Sequence, residues 1–170
     1  MSVFFISDTH FHHQNIIKYC NRPFKNFEEM DDVIINNWNS IVSETDLVIH
    51  GGDFALGHLI VQQDLLKRLN GRKILIQGNH DRSIKKMLEV GFQRVYKYMS
   101  LKTKYGKLLI AHNPTFFLNE NNEYHDIFLY GHIHDKELQT HLPENMKSIN
   151  ISVEKINYTP RSLKELIEKF

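Results

Sequence analysis

The 170-residue chain is 41% hydrophobic and 24% charged, a balance that suits a soluble globular protein and excludes low-complexity and membrane-embedded classes. Its 21 Lys and Arg offset 20 Asp and Glu, so no broad basic field is present to grip long duplex nucleic acid. Cys20 is the single cysteine, which excludes an intrachain disulfide and fits a reducing, cytoplasmic setting. The opening Met1-Ser2-Val3-Phe4-Phe5-Ile6 has neither a basic leader nor a small-residue cleavage site, so no secretory signal is expected. One domain spanning residues 1–170 is expected, without a linker or internal repeat.

In chain order, Val3–Ser7 reads as a buried strand. Asn26 is placed to cap a helix whose Phe27, Met30, Val33, Ile34, Trp38 and Ile41 recur at spacings of three and four. Asp46–His50 is a second strand and Leu59–Leu69 a second amphipathic helix, stopped by Asn70-Gly71. Lys73–Gln77 is a third strand, and Ser83–Val90 a short helix closed by Gly91. Phe92–Thr103 and Lys107–His112 are rich in β-branched and aromatic residues around Tyr105-Gly106, which predicts an antiparallel hairpin. Asp126–Tyr130 and Ser148–Val153 are further strands, and Thr159-Pro160 opens a last helix through Leu163, Leu166, Ile167 and Phe170. The result is an α/β layered fold, parallel at first and mixed later.

Eleven histidines are many for this length, and their positions matter more than their number. Five short segments each follow a strand-like run: Asp8-Thr9-His10, Gly52-Asp53, Gly78-Asn79-His80-Asp81, His112, and Gly131-His132-Ile133-His134. In open α/β sheets, ligands bind beyond the carboxyl ends of strands, so all five would converge there. Residues two apart on extended backbone point the same way, so Asp8 and His10 can grip one ion together, and His132 and His134 can approach one site. Two carboxylates, several imidazoles and an amide suit two divalent ions, manganese first, with iron, nickel or zinc as alternatives. A pair of ions needs a bridging ligand, and Asp53 lies between the other groups in sequence. Such a site stays net positive after its carboxylates and a hydroxide are counted, and so attracts a phosphate. His50, His58, His125 and His141 read as structural or surface histidines.

These motifs, together with Phe5-Ile6-Ser7-Asp8-Thr9-His10-Phe11 and Cys20-Asn21-Arg22-Pro23-Phe24, resemble the calcineurin-like metallophosphoesterase family, in particular a small bacterial and phage subgroup without appended domains. The resemblance implies a layered β-sandwich of two mixed sheets flanked by helices. It implies one metal on Asp8, His10 and His134, a second on Asn79, His112 and His132, and Asp53 bridging. It also implies His80 as the catalytic histidine and Asp81 as its orienting partner. The expected activity is hydrolysis of phosphate esters, small phosphodiesters above all, by in-line attack of a metal-bridging hydroxide. The alternatives are a nuclease for short single strands and a non-catalytic scaffold of the same fold. Ala111 and Gly51 depart mildly from the family pattern, and His12 stands where the subgroup often has glycine. His13, Arg22 and Arg82 are candidate phosphate or rim contacts. Asn113–His125 is the segment free to arch over a small substrate, with Phe116 and Phe117 as candidate stacking rings.

Overall fold

A computed structural model describes residues 1–115, 124–138, 143 and 146–169. Among these residues the order is β1 (Val3–Ile6), α1 (Gln14–Tyr19), α2 (Phe27–Ile41), β2 (Leu47–His50), α3 (Leu59–Arg68), β3 (Arg72–Ile76), α4 (Ile84–Val90), β4 (Arg94–Tyr96), β5 (Tyr98–Thr103), β6 (Gly106–Ala111), β7 (Ile127–Tyr130), β8 (Lys147–Asn150), β9 (Arg161–Ser162) and α5 (Leu163–Lys169). One sheet runs β4-β3-β2-β1-β9 and the other β5-β6-β7-β8. β1 to β4 are parallel and β9 antiparallel; β5 and β6 are antiparallel, while β6, β7 and β8 are parallel. Both sheets are therefore mixed, as the family resemblance implies.

Local chemistry explains the helices. Asn26 caps α2 by accepting from the Glu29 amide at 2.9 Å, while the Glu29 carboxylate accepts from the Lys25 amide at 2.8 Å. The face of α2 bearing Met30, Ile34 and Trp38 is buried, and the Trp38 indole donates to the Asn70 carbonyl. Gly91, at φ 122°, closes α4.

Alternation in β6 and β7 feeds two cores. Leu108, Ile110, Ile127 and Leu129 join the large core with Phe5, Ile49 and Leu75 of the other sheet. Leu109, Ala111, Phe128 and Tyr130 face the opposite way into a smaller cluster with Met146. Burial on both faces explains why these strands are almost wholly apolar.

The hairpin expectation is half right. β5 and β6 do pair antiparallel, but the run from Phe92 splits at Lys97: β4 adds to β3 in the first sheet and β5 begins the second. The chain thus changes sheets without a turn motif. Sequence reading also missed α1 and β9, both too short for a periodic signal. The expected strand at Ser148–Val153 ends at Asn150, and Ser152 instead bridges to Ser7, linking the ends of β1 and β8. No helix among the described residues is long and apolar enough to cross a membrane.

Candidate metal centre

The loops after β1, β2, β3, β6 and β7 carry the candidate ligands. Pairing outlasts the strands here: the Asp8 amide donates to the Gly52 carbonyl at 2.9 Å and the His10 amide to the Asp53 carbonyl at 3.0 Å. These contacts hold the first two loops side by side. Asp8, His10, Asp53, His132 and His134 all have left-handed backbone, with φ of 57°, 47°, 57°, 72° and 53°. That region is sparsely used by residues other than glycine, and strain of this kind gathers at functional sites. Two glycines permit the close approach. A Cβ on Gly78 would strike the Asp53 carboxylate, and one on Gly131 would strike Ser7 Oγ and Asp8 Oδ2.

The donor atoms form two groups. Those of Asp8, His10 and His134 lie within 4.8 Å of one another, as do those of Asp53, His112 and His132. Asp53 Oδ2 stands between the groups, 3.6 Å from His10 Nε2 and 3.2 Å from His112 Nε2. Asn79 Oδ1 is 3.1 Å from His112 Nε2 and joins the second group. His10 Nε2 is buried without a hydrogen-bond partner, an orphaned donor atom that a cation would satisfy. Burial lowers the His10 pKa to about 2, so the ring is held neutral and one of its two nitrogens carries a free lone pair. His112 Nδ1 faces the Gly51 carbonyl at 2.9 Å, which leaves Nε2 for a metal. The residues present therefore fit two divalent ions.

Carboxylates and imidazoles share charge across this centre. Burial would raise the Asp53 carboxyl, but the His112 hydrogen bond and charge hold it well below the usual carboxylate range. Burial would lower His112 and His134. Against it, the Asp53 hydrogen bond and the Asp8 charge raise His112 to about 9. Hydrogen bonds that the ring donates to Cys20 and Glu154, with the Asp8 charge, raise His134 to about 10. A divalent ion would displace both protons.

This has a consequence for pH. Both groups titrate higher folded than unfolded, so their stabilisation is complete below about pH 6.5, the free imidazole value. It is lost as the pH climbs through 9 and 10. Protein stripped with chelator should therefore melt several degrees lower at pH 9.5 than at pH 6.5. Apparent affinity for divalent metal should rise over the same interval. A melting point that is flat or rising with pH would contradict this assignment.

The other expected site residues divide. His80 is exposed, its ring 5.5 Å from that of His10, and its amide donates to Asp53 Oδ1 at 2.8 Å. The His13 ring is also 5.5 Å from that of His10, with Nδ1 buried and unpartnered. Burial, then the neighbouring His80, lowers its pKa. Both line the site.

Asp81 makes no hydrogen bond to the His80 ring. Its carboxylate accepts from the amides of Asp53, Phe54 and Gly78 at 2.8–2.9 Å and pins the second and third loops together. Arg22 is not at the rim: its guanidinium is buried and donates to the Asp8 and Thr9 carbonyls at 2.7 and 2.9 Å. Arg82 is exposed but turns to the Gly57 carbonyl at 2.9 Å. The His12 ring leaves the mouth to pack edge-on against Phe27. Phe116 and Phe117 lie outside the described residues, as does His141. His50 and His125 are buried beside Thr9 and Ser100, and His58 is exposed, in keeping with structural and surface roles.

Sequence reading missed Glu154, whose Oε1 sits 3.0 Å from His134 Nδ1. Cys20, His134 and Glu154 make a third cluster of donor atoms within 4.8 Å. Arg22 holds Oε1 of this carboxylate at 2.7 Å, and Oε2 is buried without a hydrogen-bond partner.

The profile of the calcineurin-like phosphoesterase superfamily domain matches residues 1–151. The chain belongs to this superfamily. A phosphoesterase of this kind implies divalent metal ions, for which the two ligand groups are the candidate seats. Among relatives, an uncharacterized protein of Methanocaldococcus jannaschii is 41% identical across 98% of this chain and 92% of its own length. A protein of unknown function from Aquifex aeolicus has a crystal structure matching 99% of this chain and 98% of that one, at 28% identity and a TM-score of 0.74. An archaeal phosphodiesterase shares the fold at 22% identity and a TM-score of 0.50, over 88% of this chain and 82% of its own.

Proposed function

We propose that this phosphoesterase hydrolyses small phosphodiesters with two divalent ions, manganese first for the carboxylate and amide oxygens, with iron, nickel or zinc as alternatives for the imidazoles. The observation that carries the hydrolytic reading is Asp53 Oδ2, set between His10 and His112 where one oxygen can serve both ions. When bound, such ions make water acidic enough to ionise near neutral pH and take up charge on phosphoryl oxygens. The chain's own groups do the rest. Asp8 is held for ligation by the His132 amide at 3.0–3.1 Å and Ser152 Oγ at 2.9 Å. His80, at the exposed face of the site, donates a proton to the departing oxygen.

The preference for diesters rests on the surroundings. Two clefts flank the second ligand group. One, of about 290 Å³, runs from Asn79 and His112 to Lys97. The other, of about 390 Å³, runs from His132 to Lys136. Asn113 borders both, so two arms leaving one phosphorus would each have a channel. Small, separate clefts and a net charge of +1 favour a compact ester over long nucleic acid. The lone Cys20 fits a cytoplasmic enzyme, and one domain suffices for the whole reading.

The test compares catalytic efficiency on an aryl diester, a nucleotide diester and an aryl monophosphate, with metal-loaded and chelator-stripped protein. At least tenfold preference for a diester is expected, with activity lost on stripping and restored by manganese. Preference for the monoester would refute the diester claim, and activity indifferent to chelation would refute the metal claim.

A further inference from the structure

The Asn21-Arg22-Pro23 stretch has no part in the ligand set, yet it delivers a buried arginine to the back of the site. Asn21 takes a left-handed conformation, φ 46°, and the Arg22 amide donates to the Ile17 carbonyl at 2.9 Å, turning the side chain inward. The guanidinium then grips two carbonyls and a carboxylate, beside a longer contact to Met30 Sδ at 3.3 Å. Nη2 and Nη1 hold the carbonyls of Asp8 and Thr9, at 2.7 and 2.9 Å, and Nε and Nη2 hold Glu154 Oε1 at 2.9 and 2.7 Å. The same Glu154 oxygen faces His134 Nδ1 at 3.0 Å. On the far side of the ring, His134 Nε2 points to Asp8 Oδ1, 4.0 Å away.

We infer that Arg22 and Glu154 are positioning residues that aim His134 Nε2 and Asp8 together at the first metal. The inference rests on the metal-dependent reading above. A carboxylate behind an imidazole keeps the near nitrogen protonated, fixes the ring plane and makes the far nitrogen a better donor. Arg22 keeps that carboxylate charged and in place, while its other nitrogens hold the main chain of the Asp8 loop. The Asn150 amide, donating to the His134 carbonyl at 2.7 Å, fixes the backbone of the same residue. No other candidate ligand histidine is backed this way among the described residues: His112 Nδ1 meets a neutral carbonyl. A buried ion pair adds little net stability, so orientation is the better account of what this one does.

The experiment titrates metal-free protein with ¹¹³Cd, following both cadmium signals and the ring nitrogens of ¹⁵N-labelled histidine. In the parent, His134 Nε2 should couple to the first-site cadmium while Nδ1 keeps its proton. Glu154→Gln preserves shape but not charge. It should weaken the first site by about 10- to 100-fold, and the second site far less. Arg22→Lys, which keeps a charge but not the fork, should shift the same balance in the same direction. If Glu154→Gln fails to fold, Arg22→Lys alone decides. Equal weakening of both sites, or of neither, overturns the inference. A parent in which His134 shows no cadmium coupling overturns it together with the metal reading. Loss of phosphodiesterase turnover with the first-site affinity unchanged would also count against it.

Discussion

Asp53→Asn is expected to abolish hydrolysis and to drop metal content from two ions per chain to less than one. The carboxylate is where the two ligand groups meet, with Oδ2 3.6 Å from His10 Nε2 and 3.2 Å from His112 Nε2. An amide can offer a neutral oxygen but not the anionic charge that two adjacent cations require. The change also weakens the Asp53 hydrogen bond that, with the Asp8 charge, raises His112 in the metal-free state. His10→Ala makes the comparison, because it should empty mainly the first site. Elemental analysis of both folded variants checks the claim. Retention of one full metal equivalent by Asp53→Asn would show that the carboxylate does not bridge.

His80→Ala should leave metal content intact and lower turnover by about 10²–10⁴, the contribution of a positioned general acid. The His80 ring is exposed beside His10, whereas its backbone amide makes the contact to Asp53 Oδ1. An alanine keeps that amide, so the bridge should survive the substitution. A nitrophenolate leaving group needs little protonation and should show the smaller loss, and an alkoxide the larger. Equal losses for both would assign His80 to substrate binding. Asp81→Asn should behave differently. Asp81 braces the Asp53 and Gly78 loops, so its loss should disturb metal content and stability rather than leaving-group dependence.

The candidate ligands were legible as short motifs that follow apolar runs, with Gly78 and Gly131 announcing close approach. The expectation of extended backbone at Asp8-His10 and His132-His134 did not hold: all four residues are left-handed, and His132 and His134 join different groups. The parallel half of the first sheet was readable because strands and helices each carry their own period. What escaped notice is not local. Arg22 and Glu154 meet across 132 residues, and neither carries a pattern that names the other. The change of sheet at Lys97 is hidden because β4 and β5 read as one uninterrupted strand-like run. Asp81 follows His80 in the chain, yet its carboxylate folds back onto main-chain amides, contacts that proximity in sequence does not announce.

The left-handed turns that carry Asp8, His10, Asp53, His132 and His134 also narrow which mutations the lineage can accept. Aspartate, asparagine and histidine are the side-chain-bearing residues that tolerate this conformation best. They are also oxygen and nitrogen donors of the kind a hard or borderline divalent ion takes. Glycine would relax the backbone but supply no donor, and valine or isoleucine would do neither. Drift at these positions is thus filtered twice, once by the turn and once by the ion. The few residues that pass both filters preserve the same class of metal chemistry.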